Sequence, residues 1–233
     1  MRKRQRLGQH FLISQTVAKK IVEAARITKK DVVLEIGTGR GILVPLLCEK
    51  AKQVISIETD EQLYIDAKNR FSAISNLTLK HGDGFKTDEK FSIFVSNLPY
   101  SKSRDAMEWL IQKKFSRAVM MVQKEFYEKL VAKGKNRKAI SVLVNHSTDI
   151  EKIINVNKTN FNPTPKVDSV VLRLNRKNTI SKELIQTANK LFSYKRKNLK
   201  NILKQFGKNT ESDKRLEELS SEEIIDIAKK ILK

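Results

Sequence analysis

Residues 31–41 read DVVLEIGTGRG, a run of β-branched and aliphatic side chains followed by glycines at 37, 39 and 41. The apolar run has the length of a strand buried on both faces. Glycines placed directly after it accept positive φ and let a ligand approach the backbone at the strand's carboxyl end, where open α/β sheets bind ligands. Working outward, QVISIE (53–58), NLTLKH (76–81), FSIFVSN (91–97) and FSRAVMMVQ (115–123) repeat the pattern. The intervening segments 41–50, 60–71 and 102–113 have helical spacing, with Asp60 as an N-cap. Such alternation predicts right-handed crossovers and a mostly parallel sheet with helices on both faces, an α/β fold. A helix over 124–132, a basic loop over 133–138 and an apolar segment, AISVLVNHS, follow; the pattern leaves that segment open between strand and helix. IEKIINV (150–156) and DSVVLRL (168–174) add two strands around a loop with Pro163 and Pro165, giving seven in all and an antiparallel pair at the end. Beyond about residue 178 only helical patterns remain, the last opened by Ser220 as N-cap. The expected division is 1–176 and a small all-helical domain, 177–233.

The chain has 233 residues, 39% of them hydrophobic, and 47 Lys+Arg against 26 Asp+Glu, a net charge of +21. The length suffices for a buried core and the periodic apolar runs exclude disorder throughout. No stretch approaches the roughly 18 apolar residues that span a bilayer, and the start MRKRQRLGQHFL lacks a signal-peptide core, so a cytoplasmic protein without a membrane partner is expected. Cys48 stands alone and no Cys/His spacing suggests a metal. An excess of this size selects a polyanion, foremost nucleic acid. It is spread over the chain, +7 over 176–233 and +14 over 1–175, with clusters at Arg2, Lys3, Arg4 and Arg6, at Lys133, Lys135, Arg137 and Lys138, and at Lys195, Arg196, Lys197 and Lys200.

The spacing Gly37-x-Gly39-x-Gly41 misses the dinucleotide pattern G-x-G-x-x-G, and the loop has no Lys-Ser/Thr to hold phosphates. That favours S-adenosylmethionine over NAD or ATP. Glu58, ending the second strand of this series, is placed to accept hydrogen bonds from ribose hydroxyls, and Asp83, in the HGDGF loop, to accept from an adenine amine. NAD would also use Glu58, so the choice rests on Asn97-Leu98-Pro99-Tyr100. An adenine amine is a poor nucleophile because its lone pair is delocalised. The amide oxygen of Asn97 and the carbonyl of Leu98, held outward by Pro99, would accept its two N–H bonds, favour a pyramidal nitrogen and aim its lone pair at a methyl donor. Tyr100 offers a stacking face. His81 and His146 read as structural.

These motifs closely resemble the KsgA/Erm-type rRNA adenine N6-dimethyltransferases, over most of the chain: GQHFL (8–12), EIGTGRG (35–41), Glu58, GDGF (82–85), NLPY (97–100), NFNPTPKVDSVV (160–171) and KRKNLKNIL (195–203). The resemblance implies a Rossmann-like class I methyltransferase fold with a helical C-terminal domain that contacts RNA, and transfer of two methyls from S-adenosylmethionine to adenosine N6. By the same resemblance Gln9, His10, Leu12, Glu35, Gly37 and Gly39 belong to the cofactor site with Glu58, Asp83 and Asn97, and Phe161 stacks on a flipped target base opposite Tyr100. KVDS and RKNLKNIL resemble the housekeeping branch, which modifies two adjacent adenosines in the 3′-terminal hairpin of small-subunit rRNA; GQHFL resembles archaeal and eukaryotic members. The expected partner is rRNA in the small subunit or its precursor, and the expected state a monomer without metal. An Erm-like enzyme of large-subunit rRNA, a non-catalytic ribosome-assembly factor and a nicotinamide oxidoreductase are the competing readings.

Overall fold

In the computed structural model, residues 10–232 are described. Strand β1 (Phe11–Leu12) leads into helix α1 (Gln15–Ala25). Then β2 (Val32–Ile36), α2 (Val44–Lys50), β3 (Gln53–Glu58), α3 (Glu61–Arg70), β4 (Leu77–His81), β5 (Ile93–Ser96), α4 (Ser103–Leu110) and β6 (Arg117–Gln123) alternate. They are followed by α5 (Lys124–Val131), α6 (Ala139–Ser147), β7 (Thr148–Val156), β8 (Phe161–Asn162), β9 (Ser169–Arg176), α7 (Lys182–Ser193), α8 (Leu199–Lys204) and α9 (Ser221–Leu232).

The chain divides into two compact units. The first comprises the residues up to Ala106, Lys114–Lys124 and Ile150–Asn175; the second comprises Met107–Lys113, Glu125–Asp149 and the residues from Arg176 onward. The second unit thus takes in two segments expected from sequence to lie in the first domain, and for Glu125–Asp149 the physical reason is α6. Its residues Ala139–Val144 are buried all round, so it belongs in a helical core, where it packs with α7 and α9.

The main sheet runs β4-β3-β2-β5-β6-β9-β7. Neighbours from β4 to β6 pair in parallel, and β9 enters antiparallel to β6, with Met120 opposite Leu172. Val33, Val54, Val95 and Val119 form the centre of the core on one face, beneath α1 and α2 and including the free, buried Cys48. Reversal of strand order between β3-β2 and β5 opens a crevice at the carboxyl ends of β2 and β5.

Helix α1, which the sequence reading did not assign, is capped by Ser14, whose hydroxyl accepts from Val17 N–H, and buries Val17, Ile21 and Val22. Its last carbonyls are held by arginines of the sheet: Arg117 donates to Ala25 O at 2.8 Å and Arg173 to Ala24 O at 3.2 Å. Positive charge at a helix C-terminus is favourable, so α1 and the β1 strand before it are fixed to the sheet. Asp60 caps α3 as expected, accepting from Leu63 N–H at 3.1 Å.

In the second unit Ser220 and Glu223 form a reciprocal capping box at α9. The helical pattern over 182–206 breaks at 194–198, where Asn198 caps α8. Arg137, counted in a basic surface cluster, is a strut: its guanidinium donates to the carbonyls of Leu216 and Leu219. No helix among the described residues is long and apolar enough to cross a membrane.

Candidate active site

The loop after β2 folds back on β3 through three consecutive residues. Gly37 N–H donates to Ile57 O at 2.8 Å, the Thr38 hydroxyl meets the Ser56 hydroxyl at 2.6 Å, and Gly39 N–H donates to Glu58 at 2.8 Å. Gly37 has φ +85°, which strains any side chain, and a Cβ there would lie 3.2 Å from Leu98 Cδ2, a tight contact. Gly39 has φ +56°. Beyond β3, Asp60 N–H donates to the other Glu58 oxygen at 2.9 Å. Each carboxylate oxygen therefore has one acceptor position taken and retains another. Beyond β4, Gly82 N–H donates to Glu58 O, and Asp83 uses one oxygen to accept from Phe85 N–H at 3.0 Å.

These strand ends surround a cavity of about 1140 Å³. Its polar lining includes His10, Glu58, Asp83 and Asn97, the Gly37 and Gly39 backbone borders it, and Leu12, Leu98 and Pro99 complete the expected set. Sequence reasoning missed the apolar walls Ile36, Ile57 and Phe85 and read His81, also at the rim, as a bystander. The signal was available, since all lie at or just past strand carboxyl ends, where a parallel sheet directs its ligand. The site fits the cofactor it was expected to hold: the glycine loop leaves space at the backbone, and carboxylates at successive strand ends suit an adenosine.

Other expected residues lie elsewhere. Glu35 does not line the cavity; at 1% exposure it is buried beneath the glycine loop, its Oε2 accepting from the Ser56 hydroxyl at 2.5 Å. Phe161 is 2% exposed and part of the core, paired through β8 with Leu12 of β1, so in this conformation its ring has no free face for a base. Tyr100 stands behind His10, the rings stacked with centroids 5.8 Å apart, and its hydroxyl meets Ser169 Oγ at 2.6 Å. Burial pushes the Tyr100 phenol upward, against the Ser169 hydrogen bond, which keeps it neutral. His10 Nδ1 lies 2.7 Å from Pro163 O, which follows the cis Asn162–Pro163 peptide. Segments near 10, 100 and 161–169 are thereby joined at one rim of the cavity. Gln9 lies outside the described residues. Among the described residues no cluster of three or more His, Cys, Asp or Glu could hold a metal ion.

Burial, with the Glu58 charge adding, pushes the Glu35 carboxyl up to about 8 against the Ser56 hydrogen bond. The folded chain keeps this proton to about pH 8, whereas an unfolded chain loses it near 4.5. Stability must therefore fall as pH rises across that interval and level off above it. Glu35→Gln is expected to unfold with a Tm near the wild-type value at pH 5. At pH 8 it should be more stable by on the order of a few kcal/mol. A Tm difference that does not grow with pH would mean that Glu35 is already ionised in the fold.

The family described as ribosomal RNA adenine dimethylase matches residues 1–231. Ribosomal RNA small subunit methyltransferase A of Thermotoga maritima is 37% identical, the match covering 99% of this chain and 86% of that one. A Pyrococcus abyssi protein named "Probable ribosomal RNA small subunit methyltransferase A" is 33% identical over 97% and 91%. The crystal structure of a dimethyladenosine transferase from Plasmodium falciparum superposes with a TM-score of 0.82 at 30% identity, covering 94% of this chain and 96% of that one.

Proposed function

The chain belongs to the ribosomal RNA adenine dimethylase family, and from that premise we propose that it dimethylates N6 of two adjacent adenosines in the 3′-terminal hairpin of small-subunit rRNA. It is an S-adenosylmethionine-dependent rRNA adenine dimethyltransferase of Rossmann-like fold. The substrate assignment is supported above all by the KVDS segment, one of the two that resemble the housekeeping branch, whose Ser169 meets the Tyr100 hydroxyl beside His10 at the cavity rim.

When bound, S-adenosylmethionine supplies an electrophilic methyl group on a sulfonium centre. The Glu58 carboxylate holds the ribose hydroxyls through its remaining acceptor positions, Asp83 accepts from the adenine amine, and Gly37 and Gly39 admit the cofactor to the backbone. His10 and Leu12 close the methionine end. Asn97 Oδ1 and the Leu98 carbonyl accept the two N6–H bonds of the target adenosine, and Tyr100, braced by His10 and Ser169, supports the base. The methyl supplied there would pass to the N6 lone pair, its former bonding pair staying with sulfur, and water would take the proton that the nitrogen gives up. Phe161 acts from the core, holding β8 and with it the Pro163 carbonyl that binds His10.

The helical second unit, with Lys195, Arg196 and Lys197 between its helices, serves RNA contact. Phosphate neutralisation supplies affinity without sequence readout, so recognition beyond the pocket is of RNA shape. The protein works as a monomer in the cytoplasm.

The test supplies tritiated S-adenosylmethionine with unmethylated small subunits, large subunits or protein-free large-subunit rRNA, and maps reverse-transcription stops at dimethyladenosine. Two adjacent stops near the small-subunit 3′ end are expected. A stop in large-subunit rRNA alone would replace this substrate with that of the resistance enzymes.

A further inference from the structure

Beneath the cofactor loop lies a group of polar side chains that the transfer step leaves unused. Glu35 and Ser56 face each other in register across β2 and β3, on the sheet face that carries Val33 and Val54. Ser56 is wholly buried and Thr38 is 4% exposed. Aliphatic side chains would fill this position without the cost of burying a carboxyl group and two hydroxyls. The three instead bond to one another. The Thr38 and Ser56 hydroxyls meet at 2.6 Å and Ser56 Oγ lies 2.5 Å from Glu35 Oε2, so Ser56 bridges the other two. The row runs without a break from Thr38 through Ser56 to Glu35.

We propose that Glu35, Ser56 and Thr38 act as one positioning unit, which holds the Gly37–Gly39 loop in its ligand-binding shape from below and so sets the affinity for S-adenosylmethionine. The loop has three ties to β3. The Gly37 amide is satisfied by backbone, and the Gly39 amide by Glu58, which the cofactor also engages. Of the two side-chain ties, the Thr38 tie is the one independent of the ligand, and it ends on Glu35. With Glu35 gone, Ser56 loses one of the two partners that fix its rotamer, and the side chain between the two left-handed glycines loses a fixed anchor. Glu35 retains its proton at neutral pH, so a glutamine reproduces its shape, charge and acceptor oxygen.

The inference rests on S-adenosylmethionine as cofactor, and the test separates the two. Cofactor Kd by calorimetry, KM for RNA and Tm are measured for Thr38→Val, Ser56→Ala, their double variant, Glu35→Gln and Glu35→Leu. Thr38→Val and Ser56→Ala should each raise the cofactor Kd about ten-fold, the worth of one buried hydrogen bond. The double variant should be no weaker than either single one, because one row is broken only once. KM for RNA should stay within two-fold of wild type in all of them. Glu35→Gln should bind as wild type does, and Glu35→Leu should join the weak group. Wild-type affinity in folded Thr38→Val and Ser56→Ala would overturn the proposal, as would equal losses of cofactor and RNA binding that track Tm, or a glutamine as weak as leucine. Absence of S-adenosylmethionine binding by the wild type would instead overturn the cofactor assignment, and this inference with it.

Discussion

Asn97→Ala is expected to lower the rate of methyl transfer by about 10²- to 10³-fold or more while the cofactor Kd moves by no more than a few-fold. Asn97 follows directly on β5, a strand buried along its length and tied to β2, where Ser96 donates to Ile36 O at 2.9 Å. The side chain leaves the sheet at the cavity wall beside Pro99. Its amide oxygen has one task that no neighbour duplicates, to accept an N6–H bond while the nitrogen rehybridises. The Leu98 carbonyl accepts the other and survives every side-chain substitution. A fixed acceptor counts for more in the transition state than in the ground state, because the N–H bonds become more acidic as the nitrogen gains positive charge. The loss should therefore fall on single-turnover rate rather than on either binding constant. Asn97→Asp keeps an acceptor oxygen and should fall between Ala and wild type. Turnover in Asn97→Ala comparable to wild type would remove Asn97 from the chemistry, and a large rise in cofactor Kd would make it a cofactor ligand instead.

The sheet was legible because its strands are short, continuous and β-branched, which is what burial on both faces requires. All seven expected strands are present, with β9 inserted between β6 and β7. Two helices were not legible. Helix α1 follows a basic, glutamine-rich start, although Ser14 with Val17, Ile21 and Val22 carries a cap and a buried stripe. In α6 the buried run has no polar face, so neither period stands out, and only packing against α7 and α9 decides it.

At the site, residues read from strand ends line the cavity, because a parallel sheet delivers its carboxyl ends to one edge. Glu35 is one residue short of such an end, and the alternation of side chains turns it under the loop rather than into the crevice. Phe161 and Tyr100 depend on which partners β1 and Ser169 offer across about 70 to 150 residues of chain, and no local pattern encodes that.

Glu58→Ala should raise the cofactor Kd at least about 100-fold, with RNA binding within two-fold of wild type. Two effects add. The carboxylate now accepts Gly39 N–H and Asp60 N–H, so its removal leaves two backbone donors unmatched where the loop and the start of α3 meet the cavity. It also takes away the acceptors for two ribose hydroxyls. Hydrogen bonds to a charged acceptor contribute roughly 1.5–3 kcal/mol each, so losing the ribose pair alone accounts for a factor of 100. Glu58→Gln separates the contributions. Its single amide oxygen can serve one side of the bridge, while the amide nitrogen meets a backbone donor or a ribose hydroxyl that is itself able to accept. Glutamine should therefore recover part of the affinity for S-adenosylmethionine and lose its remainder at the backbone. Calorimetric titration of both variants checks this. Affinity in Glu58→Ala within ten-fold of wild type would mean that the ribose is held elsewhere and that Glu58 serves only to tie the Gly39 and Asp60 amides.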